Sequence, residues 1–398
     1  MATIAIVGTL DSKGLEHAFV AEQIHQLGHI PLLIDVGTLK EPQFTPDITR
    51  KTVLSEAGET FPPEEDRGQR IAVMARALPI YLAKLAETEK IDGVISLGGG
   101  GGTAIATAGM RALPIGFPKL MVSTLASGNT EHYVGTKDIV MFPSIVDVAG
   151  LNPISKKIFT KAAGAICGMV SAKAPTSESD KPIIAASMFG NTTECVNLAK
   201  EELEAAGYEV LVFHATGTGG KTMESLIESG MVKGVLDITT TELADELLGS
   251  VLSAGPTRLE AAGKVGIPTI VTPGCLDMAN FGEPDTLPEK YNGRTTYFHN
   301  PQVTLVRTNA EECTQLGKWI AQKVNAYNGP VTVLLPTKAI SIISAEGQPF
   351  YNPEADSALF TAIRENLVPN VKLLELDEEI NSAEFASACA QELLELLS

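Results

Sequence analysis

Short apolar runs alternate with longer segments whose apolar positions recur at helical spacing, and the rhythm continues along the whole chain. Brief buried strands alternating with amphipathic helices predict βα units on parallel sheets. In the first half the runs place strands at Thr3–Thr9, Ile30–Val36, Gly93–Leu97, Lys119–Ser123 and Ile139–Phe142. The clearest helix spans Arg67–Glu89, where Ile71, Met74, Leu78, Leu82 and Leu85 make one apolar face. The stretch Lys173–Lys181 gathers Pro, Ser and charge and reads as a linker. Beyond it the rhythm restarts, with strands at Ile183–Ser187, Glu209–Phe213, Gly234–Ile238, Thr269–Val271, Val303–Arg307 and Val331–Leu335. Helices are expected near Glu194–Ala206, Leu259–Val265 and Glu311–Tyr327. The fold class is therefore α/β: two doubly wound, Rossmann-like domains with mainly parallel sheets, spanning residues 1–175 and 182–398. A chain of 398 residues also exceeds what one core usually supports.

The run Gly98, Gly99, Gly100, Gly101, Gly102, followed by Thr103, lies between the strand-like IDGVISL and the helix-compatible AIATAGM. Glycine costs conformational entropy on folding, so such a run is expected where φ is positive or the backbone must be approached closely. A strand that feeds a helix through this turn aims successive N–H groups at one point, which suits a phosphate or carboxylate. Parallel strands bring their other C-terminal ends to the same edge. After the first strand come Thr9, Asp11, Ser12 and Lys13: Lys13 offers a charge to phosphate, Asp11 can hold Mg²⁺ or a ribose hydroxyl, and Ser12 can cap the helix. After the fourth come Ser123, Thr124, Ser127, Gly128 and Asn129, with hydroxyls, an amide and a glycine. Three such turns on one edge predict a nucleotide site. Asp35 could mimic a ribose-binding acid, but the G-x-G-x-x-G expected after the first strand is missing, which favours a mononucleotide over NAD. The plain alternatives are a flexible glycine turn, a capping acid and a solvated lysine.

In the second half, Ala215–Thr222 reads ATGTGGKT, a relaxed P-loop in which Lys221 would reach phosphates and Thr222 Mg²⁺. Otherwise it is a glycine turn facing a substrate. His214, Glu242, Asp245, Arg258 and Asp277 fall at predicted strand ends or in the turns that follow, a set suited to binding a small anion such as a sugar acid or to acid–base work, with His214 as a candidate base. No H-E-x-x-H or G-x-S-x-G signature is present.

The formal net charge of −18 opposes nucleic acid as a partner, while leaving local anion sites on backbone N–H groups available. Five scattered cysteines without a C-x-x-C pair suit reduced thiols in a cytoplasm. The N-terminus lacks a signal-peptide pattern, and no apolar run is long enough for a membrane helix, so no membrane association is expected.

The segments GTLDSKG, SLGGGGGT, VSTLASGNT, FHATGTGGKTMESL, DITTTELADELLG, AGPTRLEAAGKVGIPTIVTPGCLDM and GQPFYNPEADSALF resemble the family that includes the ATP-binding N-terminal region of the tomato mosaic virus resistance protein. The resemblance runs over essentially the whole chain. It implies an ATP-binding protein of two Rossmann-like subdomains that forms a homodimer. Two positions depart from the family's pattern: Arg usually stands where this chain has Lys221, and glycine near Ala339. The first speaks against dependence on a P-loop lysine. Three functions remain open: an ATP-dependent enzyme acting on a small carboxylate or sugar acid, a non-catalytic ATP-binding regulator, and a phosphosugar lyase or isomerase.

Overall fold

Along the first strand, β1 (Thr3–Gly8), Ile4 and Ile6 pack on one face and Ala5 and Val7 on the other, all buried. A strand buried on both faces requires helices on both, the condition for a parallel sheet. The computed structural model describes residues 1–63, 66–173 and 180–398; most of the linker expected at Lys173–Lys181 lies outside the described residues. The chain divides into two units, Met1–Thr176 and Ser177–Ser398.

In the first unit β1 is joined by β2 (Ile30–Asp35), β3 (Gly93–Gly98), β4 (Lys119–Ser123) and β5 (Val140–Pro143). All pairs are parallel and the order is β2-β1-β3-β4-β5. Helices Arg50–Glu56, Arg67–Glu87 and Gly100–Arg111 cover one face, and Leu10–Gln26 and Pro153–Ser171 the other. Because the chain leaves β1 first to one side and then to the other, the connections diverge between β1 and β3. In open α/β sheets ligands bind at such a switch point, outside the carboxyl ends of the strands.

The second unit contains β6 (Ile183–Met188), β7 (Glu209–His214), β8 (Gly234–Thr239), β9 (Thr269–Gly274), β10 (Met278–Phe281), β11 (Thr296–Asn300), β12 (Val303–Arg307), β13 (Val331–Pro336) and β14 (Lys372–Leu376). Its parallel sheet has the order β14-β13-β9-β8-β6-β7. Val303–Arg307, expected to join that sheet, is instead the middle strand of a separate antiparallel sheet, β10-β12-β11. The reason is the tight connection after Asn300, which is too short for a parallel crossover and closes a hairpin. β10, β11 and β14 carry no clean apolar period and were not foreseen. The helix expected at Leu259–Val265 begins only at Ala261, because Leu259 takes a left-handed φ of 70°. Among the described residues no helix is long and apolar enough to cross a membrane.

Candidate functional site

The glycine turn of the first unit lies where β3 passes into the helix Gly100–Arg111, with Gly99 as its N-cap and no side chain capping it. The four leading N–H groups of a helix need partners from outside it. None of Gly98–Gly102 has a positive φ. A Cβ on Gly99, Gly100 or Gly102 would find its nearest neighbour at 3.7, 3.9 and 3.8 Å, which is ordinary contact. Gly98 and Gly101 are more confined, at 3.1 Å from the Gly102 backbone and 3.0 Å from the end of Ile71. Neither backbone conformation nor packing therefore explains three of the five glycines. What their bare surface does is open a cavity of about 480 Å³.

That cavity brings together Thr9, Asp11, Ser12 and Lys13 with Gly99, Gly100, Gly101 and Gly102. Sequence reasoning missed its remaining wall: Thr38, Leu39 and Lys40 after β2, Arg67 and Ile71 at the start of a helix, and Ile105. The rule that ligands gather at parallel strand ends could have found the turn after β2. Lys40 and Arg67 are exposed at the rim and bond no carboxylate among the described residues. They supply positive charge next to the uncapped helix start.

Several residues serve here in other ways than expected. The Lys13 ammonium donates to the Val148 carbonyl, and the helix is kinked at Lys13 (φ −131°, ψ 29°). His17 sits 2.6 Å from the Lys13 carbonyl; its complete burial lowers its pKa and favours the neutral ring. Asp11 accepts from the Leu39 N–H at 3.0 Å and the Lys40 N–H at 3.3 Å, so it shapes the turn after β2. Ser12 does not cap the helix; its hydroxyl lies 3.3 Å from the Thr9 carbonyl. Asp35 is closed off by Arg50 at 2.6 Å and by the N–H groups of Leu10 and Gly37. Gly98 and Thr103 are buried under the turn, Thr103 bonded to Ser123 at 2.7 Å. Ser123, Thr124 and Ser127 line a separate cavity of about 310 Å³ with Ser144 and Asp147. Gly128 lies outside both cavities; so does Asn129, which accepts the Glu131 N–H at 3.0 Å.

The glycine turn of the second unit is filled from within. Glu242 Oε1 accepts the N–H groups of Gly217 at 2.7 Å and Gly220 at 3.1 Å, the positions a phosphate would take. Its other oxygen meets Arg258 Nε at 2.6 Å. Arg258 is fully buried and reaches both oxygens of Asp237 at 2.6 Å and Glu224 at 3.1 Å. Burial works against the Arg258 charge, but Asp237, Glu242 and Glu224 hold its pKa well above the usual value. Burial pushes the Glu242 carboxyl upward against the pull of Arg258. Lys221 points outward on the helix Thr218–Glu228, and Thr222 donates to the Thr218 carbonyl at 2.8 Å. His214 is exposed at the end of β7.

Asp245, raised to about 6 by burial, is held by Ser250 and by Asn280, whose N–H and amide lie at 2.8 Å. Asp277, also raised to about 6 by burial, accepts the Ser341 hydroxyl at 2.8 Å. Glu242 and Arg258 thus share one buried network, while Asp245 and Asp277 are buried in two others. Among the described residues no group of three or more His, Cys, Asp or Glu side chains converges as a metal site.

Comparison with known proteins gives two family matches that together span nearly the whole chain. Residues 2–175 match the description "Uncharacterised protein family (UPF0261) N-terminal domain" and residues 181–397 the corresponding C-terminal domain. A UPF0261 protein of Clostridium tetani is 49% identical, covering 99% of this chain and 98% of its own. The ToMV resistance protein Tm-1 of Solanum lycopersicum is 40% identical, covering 98% of this chain and 55% of the tomato protein. Among solved structures, Acinetobacter baumannii MurG aligns with 100% of this chain and 98% of its own at 12% identity, with a TM-score of 0.24, too loose to carry an argument.

Proposed function

The chain belongs to the UPF0261 family, and from that premise we propose that its first unit binds a mononucleotide, ATP with Mg²⁺, at the switch point between β1 and β3. The observation that carries this reading is the set of glycines that neither φ nor packing requires, at an uncapped helix start that opens into a cavity. Phosphate oxygens would accept the N–H groups of Gly100–Gly102, where the helix dipole favours negative charge. Lys40 and Arg67 would pair with the outer phosphates, and Leu39, Ile71 and Ile105 offer the base an apolar wall. Asp11 is the carboxylate in reach for a phosphate-bound Mg²⁺, which keeps most of its waters and needs few protein ligands.

The reading is one of binding and regulation rather than turnover, because Glu242, Asp245 and Asp277, the candidate acids of the second unit, are buried and hydrogen-bonded within it. Calorimetric titration of Mg²⁺–ATP into the full chain tests it, with ribose 5-phosphate and inorganic phosphate as controls. Micromolar binding by ATP, weakened about tenfold or more in Arg67→Ala and Lys40→Ala, is the expected result. Equal affinity for ATP and inorganic phosphate would show that no base is recognised and would favour a phosphosugar ligand. No binding of ATP would end the nucleotide reading.

A further inference from the structure

The second unit contains a cavity of about 540 Å³ that has no part in the nucleotide reading. Its size falls within the roughly 300–1,000 Å³ of small-molecule sites. It lies between the helix Ala310–Asn325 and the segment after Gly255, and its apolar surface comes from Leu243, Trp319, Ala326 and Tyr327. Trp319 is the chain's one tryptophan and is only partly buried.

The segment that carries Pro256, Glu260, Gly263 and Lys264 into the cavity wall is fixed in place by unusual means. Leu259 is held at φ 70°, a conformation that costs a non-glycine residue free energy and persists only where the surroundings impose it. Here they do: its neighbour Arg258 is anchored by Asp237 and Glu242, and Glu224 accepts the N–H groups of Leu259, Glu260 and Ala261 at 2.7, 3.2 and 2.8 Å. Tyr327 lies flat on Gly263, where a Cβ would come within 2.3 Å of the ring, and its hydroxyl reaches the Leu259 carbonyl at 3.3 Å. Tyr327 and the backbone from Leu259 to Ala261 are thus preorganised before any ligand arrives, which lowers the cost of binding.

The polar rim is uneven. Lys323 and Lys264 share one carboxylate, Glu260, at 2.8 and 3.0 Å. Lys323 also donates to the Pro256 carbonyl at 2.7 Å. An ammonium has three N–H donors, so Lys264 retains two and Lys323 one. The other acid of the rim, Glu246, is held by Ser253.

We propose that this cavity binds a small aromatic carboxylate, with its ring against Trp319 and Tyr327 and its carboxylate on Lys264 and Lys323. The proposal does not depend on nucleotide binding by the first unit.

Trp319 supplies the measurement. Its emission in the full chain is followed during titration with phenylacetate, benzyl alcohol and benzylamine. Phenylacetate should give a saturable change, with the alcohol about tenfold weaker and the amine weaker still, since only the first completes the lysine donors. Lys264→Met should lower phenylacetate affinity about tenfold and leave the alcohol unchanged; its side chain is 60% exposed, so the fold does not rest on it. Ala326→Phe should place a ring beside Trp319 and Tyr327, where the ligand's ring would lie, and abolish binding of all three, with an unchanged unfolding midpoint showing that the chain is folded. Equal affinities for acid and alcohol, full binding by Ala326→Phe, or no saturable change with any of the three would overturn the proposal.

Discussion

The two glycine turns look alike in sequence, each following a strand and opening a helix, yet they have opposite reasons for their glycines. In the second unit Gly217 has φ 79° with its Cβ position 2.9 Å from the Ser253 carbonyl. The Cβ positions of Gly219 and Gly220 lie 1.8 Å from the His214 carbonyl and 2.0 Å from Glu242. Every one of these glycines is required by the fold, and the N–H groups of Gly217 and Gly220 are taken by the protein's own carboxylate, Glu242. In the first unit Gly99, Gly100 and Gly102 meet nothing that demands glycine, and they line a cavity with cations at its rim. A glycine turn by itself does not indicate a ligand, because the fold alone can require every one of its glycines.

Glu242→Ala should have the largest effect, because it strips a buried arginine of one partner and two N–H groups of their acceptor. A loss of about 3–5 kcal/mol is expected, read by urea unfolding through Trp319, which reports the second unit alone. A loss under about 1 kcal/mol would mean that the turn is not held by its plug.

Gly220→Ala forces a Cβ against Glu242 and should cost about 2–3 kcal/mol, measured in the same way. A neutral result would erase the distinction between the turns.

The closed edge also buries Asp277, whose carboxyl is pushed from 3.8 to about 6, chiefly by burial. A folded-state pKa above the unfolded one gives stability that is full below the unfolded value and is lost as pH rises through the folded one. The second unit should therefore lose about 1.4 kcal/mol between about pH 5 and pH 7 relative to Asp277→Asn, in which this dependence is absent. Parallel stability profiles for the two proteins would refute the burial of a titrating acid there.

Gly100→Ala should be the smallest change in stability and the most telling. With its nearest neighbour at 3.9 Å, alanine is expected to stabilise the first unit by about 0.5–1 kcal/mol while weakening Mg²⁺–ATP at least tenfold. Stabilisation without loss of binding would leave the glycine run unexplained.

Much of this architecture was legible because strands such as Val94, Ile95 and Leu97 are buried on both faces and so read as unbroken apolar runs. The positions of Thr9–Lys13 and Gly99–Gly102 on one edge followed from parallel strand direction. Lys40 and Arg67 were not foreseen, because an exposed cation in a loop or helix start has no periodic signal. The role of Glu242 was hidden for a related reason: its partners Gly217, Gly220 and Arg258 are distant in sequence and meet only through a turn and a helix start.

Local chemistry therefore determined the fold class, the helix and strand rhythm and the existence of two glycine turns, since each depends on neighbours within a few residues. Which turn stays open and which is filled by a carboxylate was decided by tertiary structure alone. Hydrogen bonds and Cβ clashes act over about 3 Å, and residues that far apart in space can be any distance apart along the chain.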